Sequence, residues 1–122
     1  MLKKNCFLDI AEEDDTLMIS MLGEIDHHSA VRIRTEMDEK ILKFRPKKTV
    51  IDLSGIEFMD SSGLGLIMGR YMKMQAVGGV LLLRNPNERI LKIFKLAGLE
   101  RIVKIEESEN VFESEGVLNE SK

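Results

Sequence analysis

The sequence predicts an α/β fold in which helices pack on a mixed, mostly parallel β-sheet. Three observations carry this. Short apolar runs of strand length, such as Thr49-Val50-Ile51-Asp52-Leu53 and Val80 to Leu83, alternate with stretches whose apolar residues recur at helical spacing. Those helical stretches are long enough to be the crossovers that parallel strands require, and such crossovers are right-handed. Proline and glycine fall between the segments, at Pro46, Gly78-Gly79 and Gly98, where the chain has to turn.

Each element follows from its own residues. Phe7, Asp9 and Ala11 alternate with Leu8, Ile10 and Glu12, the acidic turn Glu13-Asp14-Asp15 follows, and Thr16 to Leu22 completes a hairpin. Gly23-Glu24-Ile25-Asp26-His27-His28 breaks the pattern. From Ala30 the apolar residues are Ala30, Ile33, Met37, Ile41 and Phe44, with charged residues between them, which makes one apolar stripe on a polar helix. Pro46 stops that helix, and Thr49 to Leu53 is a short buried strand. After a glycine-flanked loop, a helix running to about Ala76 carries Leu64, Ile67, Tyr71 and Met74 on one face, widened by Leu66, Met68 and Met72. A helix this apolar is buried on two sides or kept in part for a partner. Gly78-Gly79 ends it, and Val80 to Leu83 is another buried strand. Asn85 and Pro86 supply an N-cap and a first-turn proline for a helix through Ile90, Leu91, Phe94 and Ala97, which Gly98 stops. A last strand spans Ile102 to Ile105, and Val111, Phe112 and Leu118 fit a weak helix before the chain frays.

Composition bounds the function. A chain of 122 residues with 43% hydrophobic content builds one compact domain. The net charge is −3, and Glu106 to Lys122 holds six Glu against one Lys, a net of −5 that leaves about +2 for everything before it. The folded part is close to neutral, so no nucleic-acid or anionic-membrane partner is expected. The one cysteine, Cys6, has no internal disulfide partner, and there is no signal-like run or long apolar span, so the expected location is cytoplasmic. Eight methionines and no tryptophan fit either an adaptable core or a partner surface.

The stretch Met59-Asp60-Ser61-Ser62-Gly63-Leu64-Gly65 sits where a strand gives way to a helix. Backbone N–H groups and the positive dipole end of a helix welcome negative charge, so a hydroxyl there suits a reversible phosphate better than catalysis. The plainer reading is that Ser61 is only an N-cap. Asp60 is either the N-cap or a recognition residue. Ser62 is a cap or a neighbour that shapes docking, and Gly63 and Gly65 allow close backbone approach by a partner or by the sheet beneath. Asp26 reads as a turn residue or helix cap; it and Ser61 both follow strands, which puts their loops at the same sheet edge. His27 and His28 are adjacent and point apart, a poor metal pair, so no metal is expected. A nucleotide-binding reading is weak: the dinucleotide pattern places its third glycine three residues after the second, whereas Gly69 comes four after Gly65, and no Lys-Ser/Thr pair marks a P-loop. A hydrolase reading fails because Ser61 lacks the preceding glycine of a nucleophile elbow.

Taken together, Gly23-Glu24-Ile25-Asp26-His27-His28, Asp52-Leu53-Ser54, Met59 to Gly65 and Leu96-Ala97-Gly98-Leu99 resemble the STAS-domain anti-sigma factor antagonists, and the Asp-His-His element points to the sporulation branch. The resemblance covers residues 5–112 and leaves 113–122 as a frayed acidic tail. It implies a STAS-domain sandwich that acts as a switch and not as an enzyme, without a cofactor. In such a cycle the unphosphorylated antagonist binds an anti-sigma factor that is itself an ATP-dependent serine kinase, and so frees the sigma factor, here sigma F. The kinase phosphorylates Ser61, the complex dissolves, and a serine phosphatase resets it. Asp26, Asp60, Ser62, Gly63 and Gly65 become the partner-binding residues. Oligomeric state is left open by the sequence, a monomer being the simplest expectation. Two further readings stay open: the same switch in a stress-response sigma pathway, and a nucleotide- or anion-binding STAS module.

Overall fold

The computed structural model describes residues 6–107. They form β1 (Cys6–Glu13), β2 (Thr16–Ile25), α1 (His27–Phe44), β3 (Lys48–Met59), α2 (Ser61–Ala76), β4 (Val80–Arg84), α3 (Glu88–Ala97), a 3-10 turn (Leu99–Arg101) and β5 (Lys104–Glu106). The five strands lie in sequence order in one sheet; β1 and β2 are antiparallel and the other pairs are parallel. This is the mixed, mostly parallel sheet expected. Each crossover advances by one strand in the same direction, so right-handedness places the three helices on one face. The core agrees: Leu17, Ile19 and Met21 of β2 and Ile51 and Leu53 of β3 join Ile33, Met37 and Ile41 of α1, Leu66, Ile67 and Met74 of α2, and Ile90 and Phe94 of α3 in one buried cluster.

Several boundaries differ from expectation, each for a local reason. β2 runs on through the apparent break to Ile25, and β3 runs past Leu53 to Met59, because the two strands keep pairing across two β-bulges. Ser20 faces Asp52 but Leu22 faces Gly55, and Gly23 faces Ile56 but Glu24 faces Phe58, so β3 gains one residue at each step. The insertions keep Ile56 and Met59 in the core. The helix expected from Ala30 starts three residues earlier, at His27, because Asp26 caps it. Its end is as expected, with Arg45 in the left-handed region just before Pro46.

Asn85 and Pro86 are not the cap and first turn of α3. Asn85 is still tied to the sheet, its N–H donating to Glu106 O at 2.8 Å, and its φ is 58°. The helix therefore begins later, capped by Asn87, whose Oδ1 accepts from Ile90 N at 2.8 Å. The 3-10 turn occupies the residues after Gly98 and pushes β5 on to Lys104–Glu106. The helix expected around Val111, Phe112 and Leu118, the frayed tail and the boundary at 112 lie outside the described residues.

Methionine serves the core first: Met21, Met37, Met59 and Met74 are buried. Met72, expected to widen the apolar face of α2, is exposed instead. Arg70 takes a place in that face, buried to 4% exposure. Its Nε lies 3.0 Å from Asp38 Oδ1 on α1, a close charge approach without hydrogen-bond alignment, while Nη2 donates to Asp38 Oδ2 at 3.4 Å. Burial pushes the guanidinium below its usual value, Asp38 opposes that, and Arg34 adds to it.

Cys6 lies in the core, and burial pushes its thiol from 9.0 up to about 11, with Arg32 pulling the other way. The raised value means that the folded state holds a proton that the unfolded chain releases. The resulting stability is full below pH 9 and is lost as pH rises from 9 to about 11. Iodoacetamide at pH 8 is expected to label Cys6 far more slowly in the native protein than in urea. Equal rates would show that the thiol reaches solvent.

Candidate functional site

Helices α1 and α2 both begin at the carboxyl edge of the sheet, side by side, because they follow the neighbouring parallel strands β2 and β3. Their starts are joined directly: Asp60 N–H donates to Ile25 O at 3.2 Å, which ties the residue before α2 to the residue before Asp26. The expectation that Asp26 and Ser61 share one edge is met by this geometry.

Asp26 is the N-cap of α1. Its Oδ1 accepts from Ser29 N at 2.9 Å, and its own N–H donates to Ser29 Oγ at 3.1 Å, a reciprocal capping box. Asp60 is the N-cap of α2, with Oδ1 accepting from Ser62 N at 2.8 Å and its carbonyl accepting from Gly63 N at 2.9 Å. Asp60 thus takes the capping duty that Ser61 had been a candidate for. Ser61 stands at the first position of α2, exposed, and its hydroxyl makes no hydrogen bond among the described residues. No acidic residue occupies the first turn of α2. A phosphate there would meet the positive end of the helix, worth about 0.3–1 kcal/mol at an exposed terminus.

The two glycines of the loop separate. Gly63 is buried, and an added Cβ would come 2.8 Å from Met59 Cβ and Sδ, so it is required by the strand that ends beneath it. Gly65 is exposed, with nothing within 4 Å of an added Cβ, so the chain itself has no need of a glycine there. His27 and His28 are exposed at the first two positions of α1. No cluster of three or more metal-type ligands occurs among the described residues. Tyr71 is half-buried and packs against the core.

Sequence reasoning missed Asn87. Besides capping α3, its Nδ2 donates to Ile56 O at 3.2 Å and Glu57 O at 3.4 Å, which holds the β3 bulge that leads into the Ser61 loop. The asparagine was visible as a cap residue, but its second partner is 30 positions away. A concavity of about 820 Å3, lined in part by Ser54, Glu57, Asn87 and Lys92, lies beside this bulge and includes neither Ser61 nor the loop glycines. No helix among the described residues is long and apolar enough to cross a membrane.

Comparison with known proteins agrees with this fold. The sequence model of the STAS domain matches residues 7–112. The chain is 38% identical over 85 residues to the anti-sigma F factor antagonist of Lysinibacillus sphaericus, covering 70% of this chain and 73% of that protein. It is 31% identical over 103 residues to the anti-sigma-B factor antagonist of Bacillus subtilis, covering 83% and 91%. Among solved structures it is similar to the Bacillus cell fate determinant SpoIIAA in its phosphorylated form, with 28% identity, a TM-score of 0.68, and coverage of 91% of this chain and 99% of that one.

Proposed function

The chain belongs to the STAS domain family, and from that membership we propose that it is an anti-sigma factor antagonist controlled by phosphorylation of Ser61. Unphosphorylated, it binds an anti-sigma factor serine kinase and releases a sigma factor, sigma F in this reading. Phosphorylation ends the complex and a serine phosphatase restores it. The protein works as a cytoplasmic monomer without catalysis or cofactor, through a domain spanning 5–112, with 113–122 as an acidic appendage. The observation that carries the reading is the exposed Ser61 hydroxyl, relieved of capping by Asp60 and set beside Asp26. Similarity to an anti-sigma F factor antagonist and to a protein solved in a phosphorylated form supports it.

The energetics favour a switch in binding over a switch in folding. A phosphate adds about −1.5 to −2 charges and three acceptor oxygens. On the free protein the helix end and water accommodate it. At an interface, the same charge is desolvated beside Asp60 and repelled by any carboxylate opposite. A penalty of about 2.7 kcal/mol weakens binding about 100-fold. Titration calorimetry of the kinase against the protein before and after phosphorylation tests this; equal affinities would refute the switch. The nucleotide-module alternative differs plainly, because such a module retains ATP without the kinase. The alternative of the same switch in another sigma pathway has the similarity to an anti-sigma-B factor antagonist in its favour. It is separated by whether the anti-sigma kinase that transfers phosphate to Ser61 is the one that holds sigma F.

Asp26 has two duties in this account, and they separate by substitution. Asp26→Ala removes both cap and charge, and costs about 1 kcal/mol of stability as well as affinity. Asp26→Asn keeps a good cap and removes only the charge. We expect its melting temperature to match wild type and its affinity for the kinase to fall several-fold. Wild-type affinity in Asp26→Asn would exclude the carboxylate from the interface.

A further inference from the structure

We infer that the kinase-binding surface continues from Ser61 onto the sheet face opposite the helices, with Phe58 as its apolar anchor and Leu22 and Phe7 as its extension. This rests on the reading of the protein as a kinase-binding antagonist. Phe58, Leu22 and Phe7 are 44%, 59% and 61% exposed. Isolated apolar residues on a surface are ordinary, but these follow one another across three adjacent strands. Phe7 faces Leu22 across β1 and β2, Leu22 faces Gly55 on β3, and Phe58 faces Glu24 two residues farther along β2.

The bulges of β3 create this arrangement. The residue inserted at Glu57 leaves Ile56 and Met59 in the core and turns Phe58 out, opposite Glu24. Gly55 offers no side chain, and an added Cβ would lie 3.0 Å from Leu22 Cδ1, so Leu22 leans over the space. Between Phe7 and Leu22 lies a groove of about 350 Å3 whose lining includes Ser20, Asp52 and Ser54.

Continuity decides the occupant. Phe58 is three residues before Ser61, so their Cα atoms are at most about 10 Å apart. A kinase that reaches the Ser61 hydroxyl covers the ring as well. Partly exposed aromatics at the centre of a protein contact are the residues that dominate binding. The partner feature that fits is an apolar pocket on the kinase that receives the Phe58 ring. A second copy adding a strand to β1 fits less well: Arg32 Nη2 donates to Cys6 O at 2.6 Å and takes up a carbonyl at the edge where pairing would begin.

The test measures the kinase affinity of wild type, Phe58→Ala and Leu22→Thr, and the kcat and KM for phosphate transfer to Ser61. Phe58→Ala is expected to weaken binding at least tenfold and raise KM with kcat unchanged, and Leu22→Thr to weaken it about threefold, both with near-wild-type melting. If Phe58→Ala does not fold, Leu22→Thr alone decides. Wild-type affinity in the folded variants, with Asp26→Asn impaired, overturns the extended surface and leaves the switch standing. Failure of the wild type to bind or to be phosphorylated overturns the switch itself. A wild-type dimer that dissociates in Phe58→Ala on sedimentation assigns the patch to a second copy and also overturns the inference.

Discussion

Ser61→Ala is expected to take up no phosphate from the anti-sigma kinase and ATP, and to stay bound to that kinase under conditions that release the wild type. Its affinity before phosphorylation should lie within about threefold of wild type, since the lost hydroxyl carries no hydrogen bond in the free protein whose absence would leave a buried group unpaired. Folding should be untouched: Asp60 holds the cap of α2 through Ser62 N, and Ser61 is exposed. The contrast is Asp60→Ala, which removes the cap and costs about 1 kcal/mol of stability. Kinase-dependent phosphate on Ser61→Ala, read by intact mass, would move the acceptor to another serine, Ser62 first.

The largest loss of stability is expected from Asp38→Ala. Arg70 is held between α1 and α2 with its side chain 5% exposed, and Asp38 is the carboxylate beside it. Removing one partner of a buried pair leaves the other charge uncompensated, which costs about 3–5 kcal/mol in a fully buried setting. The Asp38 side chain is 22% exposed, so water offsets part of this and about 2–3 kcal/mol is the expectation. For a domain of this size that is a fall of about 10–20 °C in melting temperature. The double variant Asp38→Leu with Arg70→Met should recover most of it, because an apolar pair of similar volume avoids the desolvation cost. Asp38→Ala melting within about 2 °C of wild type would show that Arg70 reaches water in the folded protein.

What the sequence made legible, and what it hid, divides by whether the cause was local. Pro46, Gly78-Gly79 and Gly98 end their helices where they stand in sequence, because their effects act on the residues next to them. The stripe Ile33, Met37, Ile41 is buried as its spacing predicted. The stretch Met59 to Gly65 does mark the passage from strand to helix, but the passage is a single residue, Asp60, and Ser61 to Gly63 are already the first turn of α2. The continuation of β2 and β3 was hidden because the stretch from Gly23 looks like a break and the alternation of β3 is interrupted after Leu53, whereas each strand supplies the other with a ladder that survives two bulges. Arg70 was hidden because a charged residue on a mixed helix reads as solvated, and its partner Asp38 lies 32 positions away. Asn85 was mistaken for a cap because its tie to Glu106 is set by strand pairing that local spacing does not reveal. At the candidate site the residue types were visible, but which of Asp60 and Ser61 carries the cap depended on backbone geometry.

Ser61 is proposed here as the single phosphoacceptor of a binding switch. The direct measurement is intact-mass and peptide mapping of the wild-type protein after incubation with the anti-sigma serine kinase and ATP, alongside the amount of kinase still bound. The expected result is one phosphate per chain, on Ser61, with loss of the complex in proportion to its incorporation. Phosphate on another residue, no phosphate at all, or a phosphorylated protein that still binds the kinase would contradict it.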